Sequence, residues 1–304
     1  MQKLLRDNEL ILMEAAIVER LRRSGDVELD PVLVNAPLLY TQAGQKALSG
    51  IYQSYIDIAS RAKRPFLMCT PTWRTNRERV SATKINPSVN IDAARFLQNL
   101  RDAQKEGREN IRIGGMIGCK NDCYQPQQGL PAEQAEQFHG WQIDQLMQGG
   151  VDFIIAETLP AVEEATGMAK ALEKSGLPYF ISFVISRDGR VLDGTDLSTA
   201  VTIIDESTQR RPLGFMVNCA FPSFLNVASQ PPALFNRLIG YLANASSKDH
   251  CELDGAQELA MDSVSDWGEL MLSLNRARGV KILGGCCGTN EQHLEYLVGN
   301  ARGV

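Results

Sequence analysis

Eight short apolar runs, each followed by a segment of helical character, predict a closed (β/α)8 barrel of the TIM type. Three observations carry this expectation. The runs are continuously apolar, the pattern of parallel strands covered on both faces. They alternate with helix-like stretches along the whole chain. Eight such units fit within 304 residues, so the expected organisation is one barrel domain spanning 1–304. A doubly wound open sheet is the competing arrangement.

The first strand is read in "ELILMEAA" (9–16), with a helix in "VERLRRSG" (18–25). "PFLMCTPT" (65–72) is the second strand, and "NIDAARFLQNLRDAQKEG" (90–107) its helix. "NIRIGGMIG" (110–118) is the third. In the helix of 131–150, Ala135, His139, Ile143, Leu146 and Met147 share one face. "VDFIIAET" (151–158) is the fourth strand, and its helix carries Val162, Ala165, Ala169 and Leu172 at helical spacing. The fifth strand is "LPYFISFVIS" (177–186), followed by "LSTAVTIIDES" (197–207) as helix. The sixth is "PLGFMVNCAF" (212–221), with a short helix in "PALFNR" (232–237). "RLIGYLANAS" (237–246) is read as the seventh strand, although it also continues that helix. A helix in 266–279, "VKILGGCC" (280–287) as eighth strand and a closing helix in 290–301 complete the set.

Composition excludes several classes. Hydrophobic residues make up 44% and charged residues 22%, an ordinary globular balance. Net charge is −5 with no Lys/Arg run, which argues against a nucleic-acid partner. No apolar run reaches the ~18 residues of a membrane span. "MQKLLRDNEL" lacks the apolar core of a secretory signal, so a cytoplasmic location is expected. There the seven cysteines (Cys69, Cys119, Cys123, Cys219, Cys251, Cys286 and Cys287) are expected to be reduced. Clustered reduced cysteines point to metal or redox chemistry.

Cys219 falls at the C-terminal end of the sixth strand, and Cys286 and Cys287 at that of the eighth. Barrel active sites lie at these ends, so the three thiols share one face. Three sulfur ligands with a fourth position open suit a catalytic zinc. Gly284, Gly285 and Gly288 let the backbone turn so that neighbouring sulfurs reach one ion. Inert core thiols and a redox pair are the alternatives. His139, on an apolar helix face, is read as a core histidine.

These residues are similar to those of a known family. "GGCCGT" (284–289) followed by His293, "VNCAFP" (217–222), "FHGWQIDQLMQGGVDFIIAETLP" (138–160) and "DGT" (193–195) together resemble the zinc-dependent homocysteine S-methyltransferases. The resemblance runs from about residue 9 to the end. It implies a (β/α)8 barrel, zinc on Cys219, Cys286 and Cys287, and Glu157 holding the amino group of an amino-acid thiol. Thr72 and Trp73 close the second strand where the family often has a Thr and an aromatic residue, which the resemblance implies as walls of the methyl-donor site, with packing as the equal alternative for Trp73. Asn218 and Asn244 are candidates for bonding substrate, with satisfaction of loop backbone as the alternative for each.

Two segments depart from the family pattern. The Gly-rich stretch after the first strand is replaced by "MEAAIVE" (13–19). Glu14 keeps an acid there as a candidate substrate contact, while Ala15 and Ala16 add bulk expected to narrow the pocket. After the third strand, "GCKNDCYQP" (118–126) inserts two cysteines. The expected reaction is transfer of a methyl group from a small donor, S-methylmethionine or S-adenosylmethionine, to homocysteine, giving methionine. On length, separate folate, cobalamin and activation modules are not expected. The partners expected are therefore a small-molecule thiol and a methyl donor. The alternatives are a betaine-like donor, another thiol, a methyl-carrier protein, or a non-catalytic zinc-binding relative. Oligomeric state is not legible.

Overall fold

The computed structural model describes residues 1–249, 252 and 259–301. Eight parallel strands close in sequence order: β1 (Ile11–Met13), β2 (Phe66–Cys69), β3 (Ile111–Gly118), β4 (Phe153–Leu159), β5 (Tyr179–Phe183), β6 (Gly214–Ala220), β7 (Leu238–Ala243) and β8 (Ile282–Gly285). β8 pairs with β1, as Ile11 with Ile282 and Leu12 with Leu283. Every expected strand is present, including the seventh, and closure excludes the open sheet.

The period of two along each strand sorts side chains into two apolar layers. Ile11, Met13, Leu67, Cys69, Phe153, Ile155, Phe180, Met216, Leu242 and Ile282 fill the barrel interior. Their neighbours Leu12, Phe66, Met68, Ile154, Ile181, Phe215, Tyr241 and Leu283 point outward into the layer shared with the helices. A continuously apolar strand is therefore one whose two faces are both buried.

The helices are α1 (Gln2–Asp7), α2 (Val18–Ser24), α3 (Gln42–Arg61), α4 (Arg77–Ser81), α5 (Val89–Asp102), α6 (Ala132–Gly149), α7 (Val162–Lys174), α8 (Leu197–Ser207), α9 (Val264–Arg278) and α10 (Glu291–Asn300). Met1, Leu4 and Leu5, in and beside α1, pack against the interior layer. The Lys281 ammonium, just before β8, holds the Leu5 carbonyl at 2.9 Å. This places α1 at the N-terminal end of the barrel, opposite the mouth formed by the strands' C-terminal ends.

Three boundaries differ from the sequence reading. The principal helix after β1 is α3, whose Thr41 hydroxyl caps the Gly44 amide. Its buried Leu48, Ile51, Tyr52, Tyr55, Ile58 and Ala59 carry a helical period that the reading passed over. The expected helix at 232–237 is a 3-10 turn, Pro232–Asn236, with prolines flanking its start. The first strand is Ile11–Met13; Glu14 still bonds Leu67 and Gly285 on either side, and the Ala16 amide then turns to Thr289 Oγ1.

Candidate metal centre and substrate pocket

β6 and β8 deliver the cysteines by different means. In β6, Phe215 and Val217 face outward and Met216 inward, so regular alternation would turn Cys219 away from the mouth. Instead Cys219 has φ 54°, and the pairing with β7 slips between Asn218 and Ala220. This left-handed residue re-aims the side chain. At β8, the Cys286 amide donates to the Ala243 carbonyl at 2.7 Å, and the Cys287 carbonyl accepts from the Ala245 amide at 2.9 Å. Gly288 turns the chain at φ 81°. Gly284 lies so close to β1 that an added Cβ would stand 2.8 Å from the Met13 and Glu14 carbonyls. The adjacent cysteines thus sit on a turn tied to β7, with the strand before it pressed against β1.

All three Sγ atoms lie within 4.8 Å of one another, with Cys219 and Cys286 2.7 Å apart. Cys219 is buried, Cys286 half-buried and Cys287 exposed. Hydrogen bonds from Cys219 and then Cys286 hold the Cys287 thiol well below its ordinary range, and those to Cys286 and Cys287 push Cys219 up. Sulfurs each about 2.3 Å from one ion in a tetrahedral set are about 3.8 Å apart, within the spread seen here. The triad is a cluster able to coordinate a metal. Cys69, Cys119 and Cys123 lie elsewhere in the core, and Cys251 lies outside the described residues.

Glu157, in β4, is buried, and its Oε1 has no hydrogen-bond partner. Burial pushes its carboxyl up to about 8. Glu14 is buried too, and its Oε2 accepts from the Cys69 amide at 2.6 Å. Burial raises it well above the ordinary range; the Cys69 amide opposes the shift, and the charge of Glu157 adds to it. Asn244 follows β7, its amide donating to the Ala220 carbonyl and its carbonyl accepting from the Trp267 indole. Its Oδ1 is buried without a partner.

Two other candidates, Asn218 and Thr72, have their polar atoms engaged by the protein. Asn218 Oδ1 accepts from the Thr158 amide (3.0 Å) and the Ser182 hydroxyl (2.7 Å). Its Nδ2 donates to Thr158 Oγ1 (2.8 Å) and Cys219 Sγ (3.3 Å). All four bonds an amide side chain can make are taken. The Thr72 hydroxyl donates to the Met116 carbonyl at 2.7 Å and lies 2.6 Å from that of Thr70, bracing β2 against β3. The half-buried Trp73 leaves its Nε1 unpartnered, with the Arg74 guanidinium 4.0 Å over the ring. Ala15 belongs to the outer apolar layer instead of the pocket, and the Ala16 amide donates to Thr289 Oγ1. His139 is buried against Glu164 at 3.0 Å. His293 caps α10 together with Asn290, and burial pushes its imidazole down to about 4.

The reading from sequence missed Thr158, Ser182 and Tyr124. Thr158 has φ 61°, where the β4–β5 pairing slips between Ala156 and Leu159. Burial, and then the charges of Cys219, Cys287, Cys123 and Cys286, push the Tyr124 hydroxyl well above its ordinary range. Its position in the inserted segment was the one available signal.

A closed parallel barrel with buried carboxyls and a sulfur triad able to coordinate a metal at its mouth defines a class of (β/α)8 protein. Within that class, the chain belongs to the homocysteine S-methyltransferase family, whose profile matches residues 11–300. Among known proteins it is similar to homocysteine S-methyltransferase 4 of Zea mays, at 29% identity over 53% of this chain and 47% of that one. It is also similar to betaine–homocysteine S-methyltransferase 1 of Rattus norvegicus, at 24% identity over 95% of this chain and 71% of that one. The chain spans about half the length of several of the curated relatives it matches. The metallated form of the homocysteine methyltransferase MmuM from Escherichia coli superposes with a TM-score of 0.75 at 18% identity, over 98% of each chain. At that identity the likeness speaks for the fold. No helix among the described residues is long and apolar enough to cross a membrane.

Proposed function

We propose that the protein transfers a methyl group from a small cationic donor, S-methylmethionine or S-adenosylmethionine, to the thiol of homocysteine, giving methionine, with zinc held by Cys219, Cys286 and Cys287. One observation carries the reading: a sulfur triad shares the barrel mouth with two buried acceptors that lack partners, Glu157 Oε1 and Asn244 Oδ1. Acceptors kept dry and unpaired cost stability. An α-ammonium group, with three donors and a positive charge, would satisfy both.

Cys219, Cys286 and Cys287 would hold the zinc, which would supply a Lewis acid able to lower the pKa of the acceptor thiol. The other tasks belong to the chain. Ionised Glu157 binds the ammonium group of the acceptor, and Asn244 Oδ1 accepts a hydrogen bond from a second of its N–H groups. Asn218 is a positioning residue, because its amide is spent on Thr158, Ser182 and Cys219. Glu14 adds a second buried carboxyl, which favours a positively charged donor. In the transfer, the acceptor sulfur forms the new S–C bond as the methyl leaves the sulfonium. The donor departs as a neutral thioether and its positive charge is quenched. Alignment of sulfur, methyl carbon and leaving group is a positioning task for the rigid barrel.

The test is a panel of methyl donors incubated with homocysteine and the zinc-loaded protein, read by mass spectrometry. Methionine formed from a sulfonium donor supports the reading. Methionine from betaine alone reassigns the donor, and no methionine from any donor overturns the activity.

A further inference from the structure

Cys287 is the exposed member of the triad, so packing does not fix its side chain and its direction depends on the backbone. Two planar peptide units flank its Cα. In the first, the Cys286 carbonyl accepts from the Thr289 amide at 3.2 Å and from Thr289 Oγ1 at 2.6 Å. In the second, the Cys287 carbonyl accepts from the Ala245 amide at 2.9 Å, and the Gly288 amide donates to Oε2 of Glu19. With both planes held, the Cα–Cβ bond of Cys287 points one way. Thr289 belongs to the turn itself, and Ala245 follows the neighbouring β7. Glu19 reaches the turn from α2, 269 residues away in sequence.

Glu19 is itself held. Its Oε1 accepts from Arg23 Nε at 3.0 Å and from Nη2 at 2.9 Å, one helical turn on, which leaves Oε2 for Gly288. The Glu19 side chain is only 17% exposed, so the contact is not that of a freely solvated surface carboxylate. The guanidinium offsets the carboxylate charge, which would otherwise repel thiolates nearby. A cavity of about 770 Å³ opens on this side of the turn, lined among others by Glu19, Arg23, Lys46 and Gly288. Solvent entering it is the competing partner for the Gly288 amide. Gly288, at φ 81°, has the backbone freedom to reorient once that amide is released.

We infer that Glu19 is a positioning residue for the metal centre: clamped by Arg23, it holds the Gly288 amide and so aims the Cys287 sulfur at an ion shared with Cys219 and Cys286. The inference rests on the metal-binding reading above and adds to it a residue that ligates nothing. Groups that orient metal ligands through hydrogen bonds are worth roughly 10- to 100-fold in metal affinity.

The experiment compares wild type, Glu19→Gln and Glu19→Ala as full-length proteins. Zinc affinity is read by competition with a chelator, and the geometry of the site by the visible absorption bands of the cobalt(II)-saturated protein. If Glu19→Ala does not fold, Glu19→Leu, which fills the space and offers no acceptor, is read in its place. The acceptor-free variant should bind zinc roughly 10- to 100-fold more weakly, with shifted cobalt bands at saturation. Glu19→Gln keeps an acceptor oxygen and should lose no more than about fivefold, the difference between a charged and a neutral hydrogen bond. A merely structural Glu19 would lower the stability of the metal-free protein and leave the cobalt bands where they were. Bands that do not move in the acceptor-free variant therefore overturn the positioning role and leave the metal reading intact. A wild type that binds neither zinc nor cobalt overturns both.

Discussion

Asn218 is bonded twice to Thr158: Oδ1 accepts from the Thr158 amide at 3.0 Å, and Nδ2 donates to Thr158 Oγ1 at 2.8 Å. Thr158 follows Glu157, and Asn218 precedes Cys219, so one side chain ties the buried carboxyl to the buried sulfur across β4 and β6. Both Thr158 (φ 61°) and Cys219 (φ 54°) sit in the left-handed region, which costs about 1–3 kcal/mol for each non-glycine residue. The amide clamp offsets that strain.

Asn218→Ala removes four hydrogen bonds in a buried site and releases two strained residues. The expected loss is on the order of 2–4 kcal/mol of stability, with weaker zinc binding as well. Chemical unfolding and competition with a zinc chelator measure the two effects. Unchanged zinc affinity would show that the clamp does not position Cys219.

The purified protein should hold about one zinc per chain. Cys219→Ala, Cys286→Ala and Cys287→Ala should each remove most of it, since a two-sulfur site is a much weaker ligand set. Cys69, Cys119 and Cys123 should be individually dispensable, as none belongs to the triad. Full retention in all three triad variants, measured by elemental analysis, would sink the assignment.

Glu157→Gln keeps shape and removes charge. Binding of homocysteine should weaken about 10- to 150-fold, the worth of a charged hydrogen bond, with zinc content unchanged. In wild type, affinity should rise as pH climbs through about 8, where Glu157 ionises in the empty pocket, and the Gln variant should lose that rise. Stability runs the other way. A carboxyl whose folded pKa is raised contributes stability that is fully present below about 4.5 and lost as pH rises towards 8. The ligand-free wild type should therefore lose stability across that window, and Glu157→Gln should lose less. Parallel pH profiles of calorimetric Tm for the two proteins would contradict this.

Ala15→Gly should leave acceptor and donor range unchanged, because Ala15 packs in the outer layer. The expected cost is roughly 1 kcal/mol, from backbone entropy and a lost methyl contact. Glu14→Gln should act on the pocket instead, weakening the cationic donor while retaining an acceptor for the Cys69 amide. A gain of homocysteine methylation in Ala15→Gly would restore the narrowed-pocket expectation.

The sequence by itself determined the barrel, because a strand buried on both faces needs apolar residues at every position, and eight such strands read as eight apolar runs. It also determined the sulfur triad, since placing Cys219, Cys286 and Cys287 at the ends of β6 and β8 needs strand order alone. Gly284, beside a neighbouring backbone, and Gly288, at φ 81°, left their marks as glycines. Tertiary structure decided the rest. The turn that brings Cys219 inward runs against the strand period and rests on Asn218, Thr158 and Ser182, from three separate strands. The place of Ala15 depended on where β1 ends, and that was settled by its neighbours β2 and β8. The segment 118–130 is held in place by Arg74 and Glu164, which lie far from most of it in sequence. Local pattern records which side chains must be dry; long-range hydrogen bonds decide which of them meet.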